Sequence, residues 1–269
     1  MPPAVTADRP HLHSRRAALR RAAAAASALL ISAWLRDASA QTAPSAFAER
    51  YTLTAPSADG IGKRYMGREI AGVMGWQAAG WLERSEREQE ERTDLLLKAL
   101  ALKPGMVVAD IGAGTGYLSR RMARVLAPSG RVLAVDVQPE MVTILLRLAR
   151  DERIDNIEAR LGTEEGVPLS EASVDLAIMV DVYHELSFPY EVLASIVRAL
   201  KPGGQVVFVE YKEEDRNVPI KRLHKMSEAQ IKREAAVHPL VWERTVATLP
   251  WQHVVVFRKA FGKALGKAP

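Results

Sequence analysis

Two short stretches of the chain carry residues whose types and spacing could do chemistry. The first is DIGAGTGYLS, residues 110–119, where Gly112, Gly114 and Gly116 fall within five residues behind an apolar run. Glycines at such a turn let the backbone approach a ligand closely, because no Cβ stands in the way. Asp110 precedes them, and a second acid, Asp136, ends the next apolar run, RVLAVD (131–136). The second stretch is DVYHEL, residues 181–186, which sets Asp181, Tyr183, His184 and Glu185 close together after the apolar run VDLAIMV (174–180). Of these, His184 has the intrinsic pKa best suited to taking a proton near neutral pH. Tyr183 and Glu185 are further candidates for that role.

The spacing restricts the ligand. A dinucleotide fingerprint begun at Gly112 and Gly114 would need its third glycine where Tyr117 stands, whereas Gly116 comes one residue earlier. No Gly-Lys-Ser/Thr follows, which removes a phosphate loop. A carboxylate at Asp110 would repel a pyrophosphate and suits a ligand with a cationic amino acid group. Asp136 is placed to accept hydrogen bonds from two ribose hydroxyls. Glu210 and Tyr211 end another apolar run, QVVFVEY (205–211), beside the DVYHEL stretch, and are candidates for the acceptor pocket. Asp181 with Glu210 would be the pair to hold a divalent cation, but two carboxylates alone do not make a hard-cation site, so no metal is expected.

These residues need elements to position them. Apolar runs predict strands at 106–111, 131–136, 157–161, 174–180 and 205–211, and the 3.6-residue periodicity predicts helices at 116–127, 138–151 and 189–200. This alternation implies an α/β fold with a parallel sheet covered on both faces. LVWERTVATLPWQHVVVFRK (240–259) has two β-rich runs and no room for a crossover helix, so an antiparallel hairpin is expected at the sheet edge. Residues 41–66 read as a linker and 68–102 mainly as helix, with opposite charges four apart at Arg84/Glu88, Arg87/Glu91 and Glu88/Arg92. Within that region Met74, Trp76 and Trp81 are candidates to line an apolar acceptor pocket. An insertion at 211–239 carries Ser227 as the N-cap of a helix from Glu228, and a basic cluster of Lys221, Arg222, His224 and Lys225.

VVADIGAGTGYLS, VLAVDVQPEM, EASVDLAIMVDVYHEL, LKPGGQVVFVE and the terminal hairpin together resemble the class I S-adenosylmethionine-dependent methyltransferases. The resemblance implies a Rossmann-like seven-stranded, mostly parallel sheet with an antiparallel last strand, over a domain at 104–260 preceded by a helical lid at 67–103. It implies S-adenosylmethionine as cofactor. Asp110, Gly112, Gly114 and Gly116, with Ala113 and Thr115 between them, would surround its aminocarboxypropyl end. Asp136 would bind the ribose, and Val137 with Met141 would flank the adenine. Asp181 joins this set at the end of the fourth strand. The family often places Gly-Asp after the third strand, where this chain has Gly162-Thr163-Glu164. Thr163 therefore stands in the usual acid position, with Glu164 as its substitute. The acceptor expected is a small molecule. The alternatives are a non-catalytic module binding the cofactor or another metabolite, and a protein methyltransferase of the cell envelope.

The 269-residue chain has no cysteine, which excludes disulfides, thiolate metal sites and thiol nucleophiles. Its net charge of +5 lies mostly in residues 1–40, where six arginines face two aspartates. The nearly neutral remainder carries no electrostatic footprint for nucleic acid. Residues 1–40 have the parts of a secretory signal in order: SRRAALR, an Ala-rich apolar run too short to span a bilayer, and ASA before Gln41. Ser14-Arg15-Arg16 with Leu19 resembles the twin-arginine export signal. Cleavage after Ala40, delivery by the twin-arginine machinery to the periplasm or beyond, and no membrane span in the mature protein are the expectations. Residues 261–269 form a short basic tail. Replacing Arg15 and Arg16 by Lys is expected to hold the precursor in the cytoplasm. Processed protein still appearing outside the inner membrane on fractionation would reject the twin-arginine route.

Overall fold

The computed structural model describes residues 50–261. The expected leader and its expected cleavage after Ala40, the first part of the expected linker and the tail beyond Phe261 lie outside the described residues. The rest of the expected linker is folded. Tyr51–Leu53 (β1), Gly60–Tyr65 (β2) and Arg68–Ala71 (β3) form a three-stranded antiparallel sheet. It forms because Tyr51, Tyr65 and Ile70 bury one another, with Phe188 and Tyr190 packed against them. These anchors lie far apart in sequence, so no local hydrophobic period announces the strands.

Helix, expected across 68–102, is confined to Ala79–Leu82 (α1), Arg87–Glu91 (α2) and Thr93–Leu100 (α3). Arg92, in the left-handed region at φ 51°, breaks α2 from α3. Of the three expected charge pairs only Arg87–Glu91 forms, at 2.8 Å. Arg84 reaches Glu90 and Glu91 instead, and Arg92 turns to Asp94. This face is not solvated. Arg87 and Glu91 are buried, Arg87 donating to the carbonyl of Leu82 and Glu91 accepting from the hydroxyl of Tyr211.

The main sheet holds Val107–Ile111 (β4), Arg131–Asp136 (β5), Ile157–Leu161 (β6), Val174–Val180 (β7) and Leu200–Tyr211 (β8), all parallel. Tyr117–Leu126 (α4), Pro139–Asp151 (α5) and Pro189–Ala199 (α6) are the helices between them. Gln252–Lys259 (β10) runs antiparallel against β8, and Leu240–Val246 (β9) closes the edge against β10, giving the order β6-β5-β4-β7-β8-β10-β9. The KPGG segment, between the expected helix at 189–200 and the expected strand at 205–211, belongs to β8, with Gly203 at φ 73° and a register shift against β7. Strand β7 shows why its sequence is apolar throughout: Leu176 and Ile178 enter one core cluster, Ala177 and Met179 the other. The insertion carries Glu228–Ala235 (α7), capped by Ser227 Oγ, which accepts from the Gln230 N–H at 3.2 Å. No helix among the described residues is long and apolar enough to cross a membrane.

One buried contact ties three of these parts together. The guanidinium of Arg68, on β3, donates to both carboxylate oxygens of Glu234, on α7, at 2.6 and 3.1 Å. It also donates to the carbonyl of His184 at 2.9 Å and reaches that of Tyr183 at 3.4 Å. Glu234 is fully buried, so removing Arg68 alone strands a charge. Arg68→Met is expected to cost roughly 3–5 kcal/mol in urea unfolding, and Arg68→Met with Glu234→Leu to recover most of that loss. Equal stability of the single and double variants would show that the ion pair does not carry the packing.

Candidate functional site

A cavity of about 750 Å³ opens at the carboxyl ends of β4, β5, β6 and β7. Strand order reverses between β4 and β7, the point at which open α/β sheets leave a crevice for ligands. The glycine loop forms one wall. Gly112 sits at φ 68°, and a Cβ there would lie 2.5 Å from a methyl carbon of Val182, so this position requires glycine on both counts. Gly112 and Gly114 line the cavity, whereas Ala113, Thr115 and Gly116 shape the turn from behind. The Gly112 and Ala113 N–H groups donate to the Val135 carbonyl, the Gly116 N–H to that of Ala113, and Thr115 Oγ1 to Glu83 at 2.5 Å.

Asp136 accepts from the Gly114 N–H at 2.8 Å and the Gln138 N–H at 2.9 Å. Its carboxylate thus fixes the glycine loop while lining the cavity, with lone pairs left for a ligand. Val137 and Met141 line the same end, and Thr163 and Glu164 stand at the mouth after β6. Asp110 lies behind the loop and does not line the cavity; it accepts from Ser119 Oγ at 2.5 Å. Burial pushes its carboxyl up to about 6, against the pull of Ser119 and Arg87. Asp181 accepts from Gln252 at 2.7 Å through Oδ2, while its Oδ1 is buried without a partner among the described residues. Burial, then the charges of Glu91 and Glu210, push the Asp181 carboxyl well above the usual range.

The other end of the cavity is built on a 3-10 turn at Tyr183–Glu185. His184 is buried, and its Nδ1 lies 2.6 Å from Glu210 Oε2, while Glu210 Oε1 accepts from the Tyr183 N–H at 2.8 Å. Burial alone would lower the His184 pKa, but the charge of Glu210 and its hydrogen bond raise it above the ordinary value. His184 Nε2 faces His224 Nδ1 at 3.2 Å. Glu185 accepts from the Met74 N–H at 3.1 Å, and burial pushes its carboxyl up to about 7. His184, Glu185 and His224 all line the cavity. Tyr183 does not: its ring is fully buried, edge-on to Phe208 at 4.9 Å.

Of the residues proposed for an acceptor pocket, Met74, Trp81 and Tyr211 line the cavity. Trp76 stays outside it, its N–H donating to Gln138, and Glu210 is fully buried behind His184. Glu210 spends both oxygens on His184 and Tyr183, whereas Asp181 commits only Oδ2, to Gln252. Arg87, Glu91 and Gln138 also line the cavity, as do Asp59, Lys221 and His224. His224 was visible in sequence only as part of a basic cluster. The Arg87/Glu91 pair looked like an ordinary surface pair, and nothing local marked it as cavity wall.

A family model described as "Methyltransferase domain" matches residues 102–254, more than half of the chain. The chain is 32% identical over 106 residues to an arsenite methyltransferase of Halobacterium salinarum, covering 39% of this chain and 27% of that one. It is 36% identical over 128 residues to a demethylmenaquinone methyltransferase of Tropheryma whipplei, covering 47% and 51%. The chain thus spans about half the length, or less, of these curated relatives. A crystal structure of a SAM-dependent methyltransferase from Aquifex aeolicus superposes with a TM-score of 0.67 at 25% identity, over 70% of this chain and all of that one.

The raised carboxyl of Asp110 has a consequence for stability. Its folded pKa, about 6, exceeds the ordinary 3.8, so the native state holds the proton more tightly than the unfolded chain. The stabilising contribution is complete below the unfolded pKa and is lost as pH rises through the folded one. Asp110→Asn, which stays neutral, is therefore expected to gain melting temperature relative to the parent between about pH 4.5 and about pH 8. A difference that stays flat across that range would mean that the fold does not raise the pKa of Asp110.

Proposed function

Because the chain belongs to the methyltransferase-domain family, we propose that it transfers a methyl group from S-adenosylmethionine to a small-molecule acceptor held in this cavity. One observation carries the reading: a glycine cradle and a carboxylate-oriented histidine line the same cavity. The residues present fit the cofactor. Gly112 admits no Cβ, and the partnerless Oδ1 of Asp181 is an acceptor suited to a ligand ammonium. Gly112, Gly114, Asp136, Val137, Met141 and Asp181 would hold it. Bound S-adenosylmethionine supplies an already activated methyl on a positively charged sulfur. The chain's own residues then have to align the acceptor, exclude water and let the acceptor lose a proton.

Glu210 fixes the proton on Nδ1 of His184, so that Nε2 presents a lone pair at the cavity wall. Deprotonation of the acceptor runs through this lone pair. A small acceptor is favoured by the cavity's size, about 750 Å³, which is within the range of small-molecule sites. Met74, Trp81 and Leu82 at its rim make an apolar entrance. The similar proteins named for arsenite and demethylmenaquinone also point to small acceptors. We extend the proposal to location: the domain works outside the cytoplasm after export behind the leader ending at Ala40.

The test follows transfer of labelled methyl from S-adenosylmethionine into a library of small acceptors, with calorimetry of S-adenosylhomocysteine alongside. His184→Ala is expected to lower turnover roughly 10²–10⁴-fold while leaving product affinity unchanged. Normal turnover in the variant on the true acceptor would remove His184 from the chemistry.

A further inference from the structure

We infer that His184, Glu185 and His224 form a binding site for one divalent transition-metal ion of the zinc class, at the acceptor end of the cavity. Each offers a ligand atom, and these atoms all lie within 4.8 Å of one another. His184 Nε2 and His224 Nδ1 are 3.2 Å apart. With metal–nitrogen bonds of about 2.0–2.1 Å, two nitrogens at that separation subtend roughly 100° at a shared ion, as in tetrahedral and octahedral coordination.

The surroundings prepare the ligands. Glu210 takes the Nδ1 proton of His184 and so leaves the lone pair on Nε2, the atom that faces His224. A carboxylate behind a histidine is the usual partner of a metal-ligating imidazole, fixing its tautomer and raising its basicity. Glu210 is itself fully buried and locked by the Tyr183 N–H. Arg68 holds the carbonyls of Tyr183 and His184, which fixes the turn bearing two of the three ligands. Glu185 commits Oε2 to the Met74 N–H, and its second oxygen is available to the ion. Lys221, a cation on this wall, is turned to Asp59 at 2.5 Å.

Two histidines and one glutamate leave a coordination position open to the cavity, the pattern of catalytic rather than structural zinc. An acceptor oxygen or sulfur bound there would lose its proton to water more readily; with the ion in place His184 Nε2 acts as a ligand and does not itself take that proton. The site stands whether or not the methyl-transfer reading holds.

The test strips the full-length protein with a chelator and titrates it with Zn(II), with Co(II) as a spectroscopic probe. One zinc per chain is expected, weakened at least ~100-fold in His224→Ala and in Glu185→Gln, and roughly 10–100-fold in Glu210→Gln. Circular dichroism and S-adenosylhomocysteine binding report whether each variant is folded. In the Co(II) wild-type protein, paramagnetically shifted imidazole N–H signals from two histidines test the ligand set without any substitution. Stoichiometric binding lost in the folded variants supports the site. Absence of stoichiometric binding, affinity unchanged in His224→Ala and Glu185→Gln, or a Co(II) spectrum without histidine signals overturns it. The contact between the two rings is then a plain hydrogen bond. Zinc binding without S-adenosylhomocysteine binding would count against the methyl-transfer reading alone.

Discussion

The site depends on the bidentate ion pair between Arg68 and Glu234. A buried guanidinium can be kept only if its donors are satisfied, and Arg68 meets that demand with both oxygens of Glu234 and with carbonyls of the turn that bears His184 and Glu185. One side chain therefore sets the distance between the N-terminal sheet, the insertion helix and the turn after β7. Asp59, Met74, His184, Glu185, Lys221 and His224, on or beside these segments, line the acceptor end of the cavity. The Met74 N–H to Glu185, Gln230 to the Met66 carbonyl and Lys221 to Asp59 add further ties between the same parts.

Electrostatics divides the cavity. Asp110, Asp181 and Glu185 all have carboxyls raised by burial, and each favours a proton or a cation in its neighbourhood. Glu210 is fully buried and both of its oxygens accept hydrogen bonds, and its charge raises His184. A ligand with a cationic centre relieves the carboxylates at the glycine-loop end. At the other end, a lone pair on His184 faces a second imidazole, an arrangement that suits a proton or a metal ion equally in charge and differs only in the number of donors it engages.

The sheet explains why both ends meet. Strand β7 contributes the loop that holds Asp181 and Val182 against the glycine turn, and two residues further on it presents Tyr183 and His184 to Glu210 at the end of β8. The parallel pairing of β4, β7 and β8 brings these carboxyl ends to one edge. The antiparallel return of β10 then supplies Gln252, which holds Asp181 in place.

Local chemistry decided much of this protein. The apolar runs at β4, β5, β6 and β7, the positive-φ glycines of the loop, Asp136 at a strand end and the Ser227 cap are governed by nearest neighbours and hydrophobic period, so they were legible in the residue order. The first three strands were not, because Tyr51, Tyr65 and Ile70 bury one another between strands and against the distant Phe188, and leave no local period. The KPGG run lies between the expected helix and the expected strand, yet it joins β8 across a register shift against β7. Arg87 and Glu91 carried the spacing of an exposed helical pair, and burial against Leu82 and Tyr211 is what turned them into cavity wall. His224 belonged to an ordinary basic cluster until the fold set it 3.2 Å from His184. Sequence spacing specifies what a strand, turn or cap can be. Which side chains share a cavity is settled by packing between segments over a hundred residues apart, and only the tertiary structure carries that information.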